Sequence, residues 1–158
     1  MSRESSFKKT RNRHRVDGVA LSVDREDADL YGDNEMKNFK NERAFTRWFC
    51  KQLRAVNAET VAFVGSSMQR AGIPDRYVCR RDFRGWLEFK KDRGRVAPAQ
   101  RIFMKRMTER GDTCLVVRFL SDAYSYVVEN VDGETLVECP LNPLPDGKEL
   151  IESLQVLF

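Results

Sequence analysis

The chain contains a single histidine, His14, in a polar and basic stretch that offers no partner at zinc-ligand spacing. Its cysteines, Cys50, Cys79, Cys114 and Cys139, stand singly among apolar neighbours rather than in pairs. These two shortages exclude a zinc finger or ribbon and point to buried free thiols in a reducing compartment. Long hydrophobic runs are lacking as well, since none approaches the roughly eighteen apolar residues that a membrane helix needs. The N-terminus is polar and charged and has no apolar centre of the secretory kind. The expectation is a soluble cytoplasmic protein with no membrane partner.

Charge is abundant. It makes up 33% of the 158 residues, beside a 41% hydrophobic share that suits one folded domain. The net charge of +4 conceals a strong segregation. Residues 70–110 carry thirteen Lys and Arg against five acids, whereas residues 121–158 carry eight acids against Lys148 alone. A basic middle suits a polyanion, because phosphate contacts supply most non-specific affinity for nucleic acid. Charge by itself does not separate DNA from RNA or from an acidic protein.

Three parts follow from the patterning. Residues 1–35 have no apolar period beyond a short patch at Val19–Val23 and read as a charged, disordered arm. Its basic run, Lys8 to Arg15, either helps to hold nucleic acid or only solubilises the chain. Residues 36–133 read as the folded core, and 134–158 as an acidic C-terminal extension. Within the core, Ala44, Phe45, Trp48, Phe49 and Leu53 predict an amphipathic helix starting near Asn41. Thr60–Val64, Tyr77–Cys79 and Trp86–Phe89 predict strands, the last two joined by a turn over Arg80–Gly85. Pro98 opens a second helix that Gly111 stops. Cys114–Leu120 predicts a buried strand. Ser121 caps an expected third helix bearing Tyr124, Val127, Val128 and Val131 on one face, with Gly133 beyond its end. The remainder, with Pro140, Pro143 and Pro145, reads as irregular up to a short helix at Lys148–Leu154. The fold class expected is a single α/β domain with a central mixed β-sheet flanked by helices.

The chemistry concentrates in Ile73-Pro74-Asp75 and, after twelve intervening residues, Glu88-Phe89-Lys90. Glu88 and Lys90 are two apart on a predicted strand and share a face, while Leu87 and Phe89 take the core face. Asp75 and Glu88 supply two hard carboxylates of the kind that hold Mg²⁺ or Mn²⁺ and leave positions for water and a phosphate oxygen. Lys90 beside them can orient or deprotonate the attacking water and offset charge on the phosphorane. A Glu-x-Lys triplet alone says little. Its weight comes from the series of Gly-Ile-Pro-Asp, strand, turn, second strand and basic helix.

On these residues the sequence resembles the PD-(D/E)XK nuclease superfamily, and within it the VRR-NUC group. Gly72-Ile73-Pro74-Asp75 matches the group's G-[IV]-P-D, and Trp86-Leu87-Glu88-Phe89-Lys90 matches its strand with E-x-K. Gly94 to Gln100 matches its G-[RK]-x-[ST]-x-x-Q segment, with Ala97 in place of the small hydroxyl residue. The resemblance runs from about Glu42 to Val131. It implies a restriction-endonuclease-like core and a metal held by Asp75, Glu88 and the Phe89 carbonyl. It also implies Lys90 on the water, Glu42 as an additional acidic residue that binds or orients a second metal or its water, and Gln100 supporting the site from the second helix. Free-standing members are often phage-encoded, which implies action in a bacterial host cell, on branched DNA such as Holliday junctions, as homodimers.

Arg70, Lys91, Arg93 and Arg95 flank the site in sequence, and Arg101 and Lys105 lie one turn apart on the second helix. They are the expected phosphate grip, together with Ser66 and Ser67 in the preceding loop. The function expected is a metal-dependent DNA endonuclease with Holliday-junction resolvase-like selectivity. The alternatives are a flap or general DNA endonuclease, a non-catalytic nucleic-acid-binding protein of the same fold, and an adaptor acting through the acidic C-terminal segment.

Overall fold

The computed structural model describes residues 39–63 and 71–155. The expected arm at 1–35, and with it Ser66, Ser67 and Arg70, lies outside the described residues. Helix α1 (Glu42–Ala55) begins where the Asn41 side chain accepts the Ala44 N–H at 2.8 Å. This cap satisfies one of the donors that a helix start leaves without a partner. Strands β1 (Glu59–Ala62), β2 (Arg76–Arg80) and β3 (Phe83–Lys91) form an antiparallel meander. Helix α2 (Pro98–Thr108) then carries the chain over the sheet to β4 (Thr113–Leu120), which pairs parallel with β3. Parallel neighbours require such a crossover, because a tight turn can join only antiparallel ones. Among the described residues, strands β5 (Ser125–Glu129) and β6 (Thr135–Pro140) complete a six-stranded mixed sheet in simple sequential order, and helix α3 (Gly147–Leu154) follows. The single α/β domain expected from the sequence is the one observed.

The two faces of the sheet are dressed differently. On one face, α1 and α3 cover Val78, Leu87, Phe89, Leu115, Val117, Phe119, Tyr126 and Val128 in the main core. Phe45 stacks on Phe119 with ring centroids 5.3 Å apart, and Phe49 meets Phe89 edge-on at 5.4 Å. On the other face, α2 lays Met104 over Cys114 and Val116, with Trp86, Phe103 and Met107 around them. All four cysteines are free thiols, and burial pushes the Cys114 thiol up to about 11. Among the described residues, no helix is long and apolar enough to cross a membrane.

The helix expected after Ser121 is instead a hairpin. Ser121–Tyr124 is a turn, and Ser125–Glu129 is a strand whose first four residues are buried. Val127 and Val128 are β-branched, and a short apolar run of this kind fits a sheet buried on both faces as well as a helix face. Its antiparallel partner β4 decides the matter. Residues 135–154, expected to belong to an extension, supply the edge strand β6 and helix α3. Leu141, Leu150, Ile151 and Leu154 belong to the main core, and the Tyr126 hydroxyl donates to Ser153 Oγ at 2.9 Å. Gly147 lets the first turn of α3 lie directly on α1, since a Cβ there would collide with the Gln52 carbonyl. The acidic residues of this stretch lie on its solvent side, which is why charge alone set it apart.

Because Leu150 of α3 is fully buried in the main core, Leu150→Ala is expected to lower unfolding stability by about 3 kcal/mol. A urea titration reads this as an earlier midpoint. An unchanged midpoint would mean that the C-terminal segment is a separable tail.

Candidate active site

The site is assembled where β2 begins and β3 ends. Gly72, at φ +90°, places the segment before β2 against the first turn of α2 so closely that a Cβ would strike the Ala99 carbonyl. Pro74 is buried and Asp75 half-buried in this position. In β3 the strict alternation puts Leu87 and Phe89 into the main core, and so Glu88 and Lys90 onto the face that carries Trp86 and α2.

Two hydrogen bonds join the strands at this point. The Asp75 backbone N–H donates to Glu88 Oε2 at 3.1 Å, and the Phe89 N–H donates to Asp75 Oδ2 at 2.9 Å. In an antiparallel ladder the N–H and C=O of one residue face the same neighbour, so the Phe89 carbonyl is directed to the Asp75 edge too. Glu88 is fully buried, and Lys90 Nζ donates to its Oε1 at 2.5 Å. Burial, and then the charge of Asp75, raise the proton affinity of Glu88, with Lys90 working against both. Burial alone would lower the proton affinity of Lys90, but its bond to Glu88 and the charges of Glu88, Glu42 and Asp75 raise it.

Asp75, Glu88, Phe89 and Lys90 are thus brought together. Glu42 stands in the first turn of α1 and lines a cleft with Asp75, within electrostatic reach of Lys90 and Arg118. Among the described residues, no three His, Cys, Asp or Glu side chains converge as a metal-holding group, so Glu42 does not join the two carboxylates in one cluster. Gln100 is turned to its own helix, where its Oε1 accepts the Ala97 N–H at 3.1 Å. Ala97 has no side-chain acceptor, so only this half of a capping box exists.

The basic residues divide by what they touch. Arg93, Arg95 and Arg101 are exposed and line a cleft of about 460 Å³ beside the end of β4. This cleft abuts the site, because Gly94 in its wall lies against the Lys90 side chain. Lys91 is turned away and donates to the Lys40 carbonyl at 3.3 Å, and Lys105 pairs with Asp132 at 2.7 Å. Trp48 and Trp86 are occupied with core rings, Phe39 and Phe45 for the first and Phe63, Tyr77 and Phe103 for the second.

One contributor does not stand out in the sequence. Arg118 shows there only as an interruption of an apolar run. It makes a two-pronged pair with Glu129 at 2.8 and 2.9 Å and donates to the carbonyls of Asp92 and Gly94. Asp92 in turn accepts from the Ser121 backbone and hydroxyl, bonds that hold its carboxyl below the usual carboxylate range. The loop bearing Arg93 and Arg95 is therefore fastened through Asp92 and Gly94. A charged residue inside an otherwise apolar strand is the available signal, since such a group must find partners.

No protein-family model matches the chain. A search of curated proteins gives no match either. The reading of the site therefore rests on its residues and their geometry.

The buried carboxylate gives a signed pH dependence. A carboxyl that holds its proton more tightly when folded makes stability fall as pH rises from the ordinary value of 4.5 through the raised one. Asp75→Asn keeps an oxygen for the Phe89 N–H while removing the like charge next to Glu88. In metal-free buffer at neutral pH it is expected to stabilise the protein by about 1 kcal/mol, as sites strained for function commonly allow. The pH slope above the ordinary carboxylate value should also flatten. Urea midpoints measured across this range test both, and a destabilised variant with an unchanged slope would refute the account.

Proposed function

We propose that the protein is a metal-dependent DNA endonuclease acting in the cytoplasm. The observation that carries the reading is the joining of Asp75 to Glu88 and Phe89 by two hydrogen bonds, the Asp75 N–H to the Glu88 carboxylate and the Phe89 N–H to the Asp75 carboxylate, with Lys90 on the Glu88 carboxylate. Two like charges held together, one of them fully buried, are unfavourable, and the single ammonium of Lys90 offsets only one of them. Their oxygens, with the Phe89 carbonyl, form a hard donor set that fits Mg²⁺ or Mn²⁺ and excludes soft-metal chemistry. When bound, such an ion supplies Lewis-acid polarisation of a phosphoryl oxygen and acidifies a water.

The chain's own residues do the rest. Asp75, immediately before β2, and Glu88, in β3, would hold the ion. Lys90 Nζ, held by Glu88, presents remaining N–H groups to the attacking water and to the charge that grows on the phosphorane. Glu42 faces the same space across the cleft and can orient a water there. Arg93, Arg95 and Arg101 grip the backbone beyond the scissile phosphate without reading bases. The order helix, three antiparallel strands, helix, parallel strand supports the likeness to PD-(D/E)XK nucleases of the VRR-NUC group that the motifs carry. That likeness brings the narrower proposal of branched DNA, Holliday junctions in particular, cut by a homodimer whose two-fold axis sets one site on each of two strands.

Cleavage of a labelled four-way junction, set beside linear duplex, flap and single-stranded DNA in Mg²⁺ or Mn²⁺, tests the proposal. Lys90→Ala is expected to slow cutting by roughly 10²- to 10⁴-fold. Preference for the junction supports the resolvase form, and equal cutting of linear DNA supports the general endonuclease. Binding without cutting of any substrate, in either metal, would leave a non-catalytic DNA-binding protein.

A further inference from the structure

A second cleft, of about 380 Å³, has Asp75 in its wall and lies between α1 and the β1–β2 part of the sheet. Arg43, Arg47 and Arg54 line it from α1 and Arg76 from β2, above a floor that includes Thr46, Cys50 and Ala62. At 100° per residue the three helix arginines fall within an arc of about 40°, so they form one stripe. Strand β1 runs back along α1. The Arg54 guanidinium donates to Thr60 Oγ1 at one end, while Phe63 donates its N–H to the Asp75 carbonyl at the other. The cleft therefore leads from Arg54 to Glu42 and Asp75.

We propose that this cleft is a second track for the phosphate backbone of DNA, holding the strand on the side of the scissile phosphate opposite the Arg93–Arg95–Arg101 cleft. The inference rests on the nuclease reading and extends it. From Arg43 to Arg54 the helix rises about 17 Å, the axial length of about five nucleotides of one strand. All four cations are arginines, whose planar forks suit phosphate oxygens better than a point charge does. The two acids of the cleft, Glu42 and Asp75, stand at its inner end. A strand entering there meets cations first and carboxylates only where a cation would bridge them to phosphate. Arg43 and Arg54 are exposed at the two ends of the stripe, with Arg47 half-buried between them. Two tracks, one reaching the site at Asp75 and the other at Gly94 beside Lys90, would hold the backbone on both sides of the bond to be cut, which fixes its alignment without contacts to bases.

The test is the salt dependence of binding of the full chain carrying Lys90→Ala, in EDTA, to a fluorescent four-way junction and a fluorescent linear duplex. Arg43→Gln and Arg47→Gln are added separately and together. Arg81→Gln, an exposed position in the turn at the far end of β2, is the comparison. Each α1 variant is expected to weaken binding several-fold and to reduce the slope of log K against log salt by about 0.9 for every phosphate it no longer neutralises. Arg43→Gln alone keeps the test valid if the half-buried Arg47 proves needed for folding. Unchanged affinity and slope in the α1 variants, with Arg101→Gln still weakening binding, would overturn the second track and leave the nuclease reading standing. An equal loss in Arg81→Gln would overturn it too, by reducing the effect to net charge. Absence of any DNA binding by the Lys90→Ala parent would overturn both.

Discussion

A carboxylate placed in the central strand of a sheet loses its water, and the penalty is several kcal/mol unless hydrogen bonds and opposite charge replace what water supplied. Glu88 is in this position. Its replacements are a backbone N–H from the start of β2 and the ammonium of Lys90, two residues along the same strand. To deliver that N–H, the chain before β2 must reach β3 at one fixed height. Gly72 permits this by letting the segment lie against the first turn of α2. Asp75 returns the bond by accepting from Phe89. The satisfaction of one buried side chain thus fixes the approach of two strands and a helix, and it brings two negative charges together in the process.

Such a juxtaposition works against stability, and the rest of the fold is built to tolerate it. Phe89 and Leu87 anchor β3 from the opposite face under α1, where they are wholly buried. Arg118 binds Glu129 across the sheet and holds the loop after β3 through two carbonyls. Asp92 ties the same loop to the turn between β4 and β5. Loop residues that contact a ligand are most useful when their backbone is rigid. Here the loop bearing Arg93 and Arg95 is fastened while their side chains remain exposed. The arginines of the two clefts set positive charge near this pair of carboxylates.

Much of this was legible in the sequence. The apolar spacing of α1, the proline and glycine that bound α2, and the alternation in β3 each marked an element, and the face shared by Glu88 and Lys90 followed from the two-residue period. Two features were not legible. Ser125–Glu129 carries β-branched and aromatic residues in a run too short for periodicity to tell a strand from a helix. Residues 135–140 form an edge strand whose exposed positions and terminal Pro140 give little apolar pattern. Gln100 and Ala97 show the same limit at the level of a single hydrogen bond. Position along the chain does not tell whether a glutamine faces a site or caps its own helix, and here it caps.

The sequence by itself marked Asp75, Glu88 and Lys90 as candidate site residues, and determined that Glu88 and Lys90 lie on one face of one strand. Those properties are local, set by residue type and by the geometry of a strand. Only the tertiary structure decided that Asp75 reaches Glu88, that Glu42 looks at the same space from another helix, and that α1 presents a stripe of arginines along a cleft. These depend on the order in which strands pair and on which helix covers which face. Pairing is settled by the burial of residues far apart in the chain, such as Phe45 against Phe119 and Leu150 in the main core, and no stretch of sequence contains that information alone.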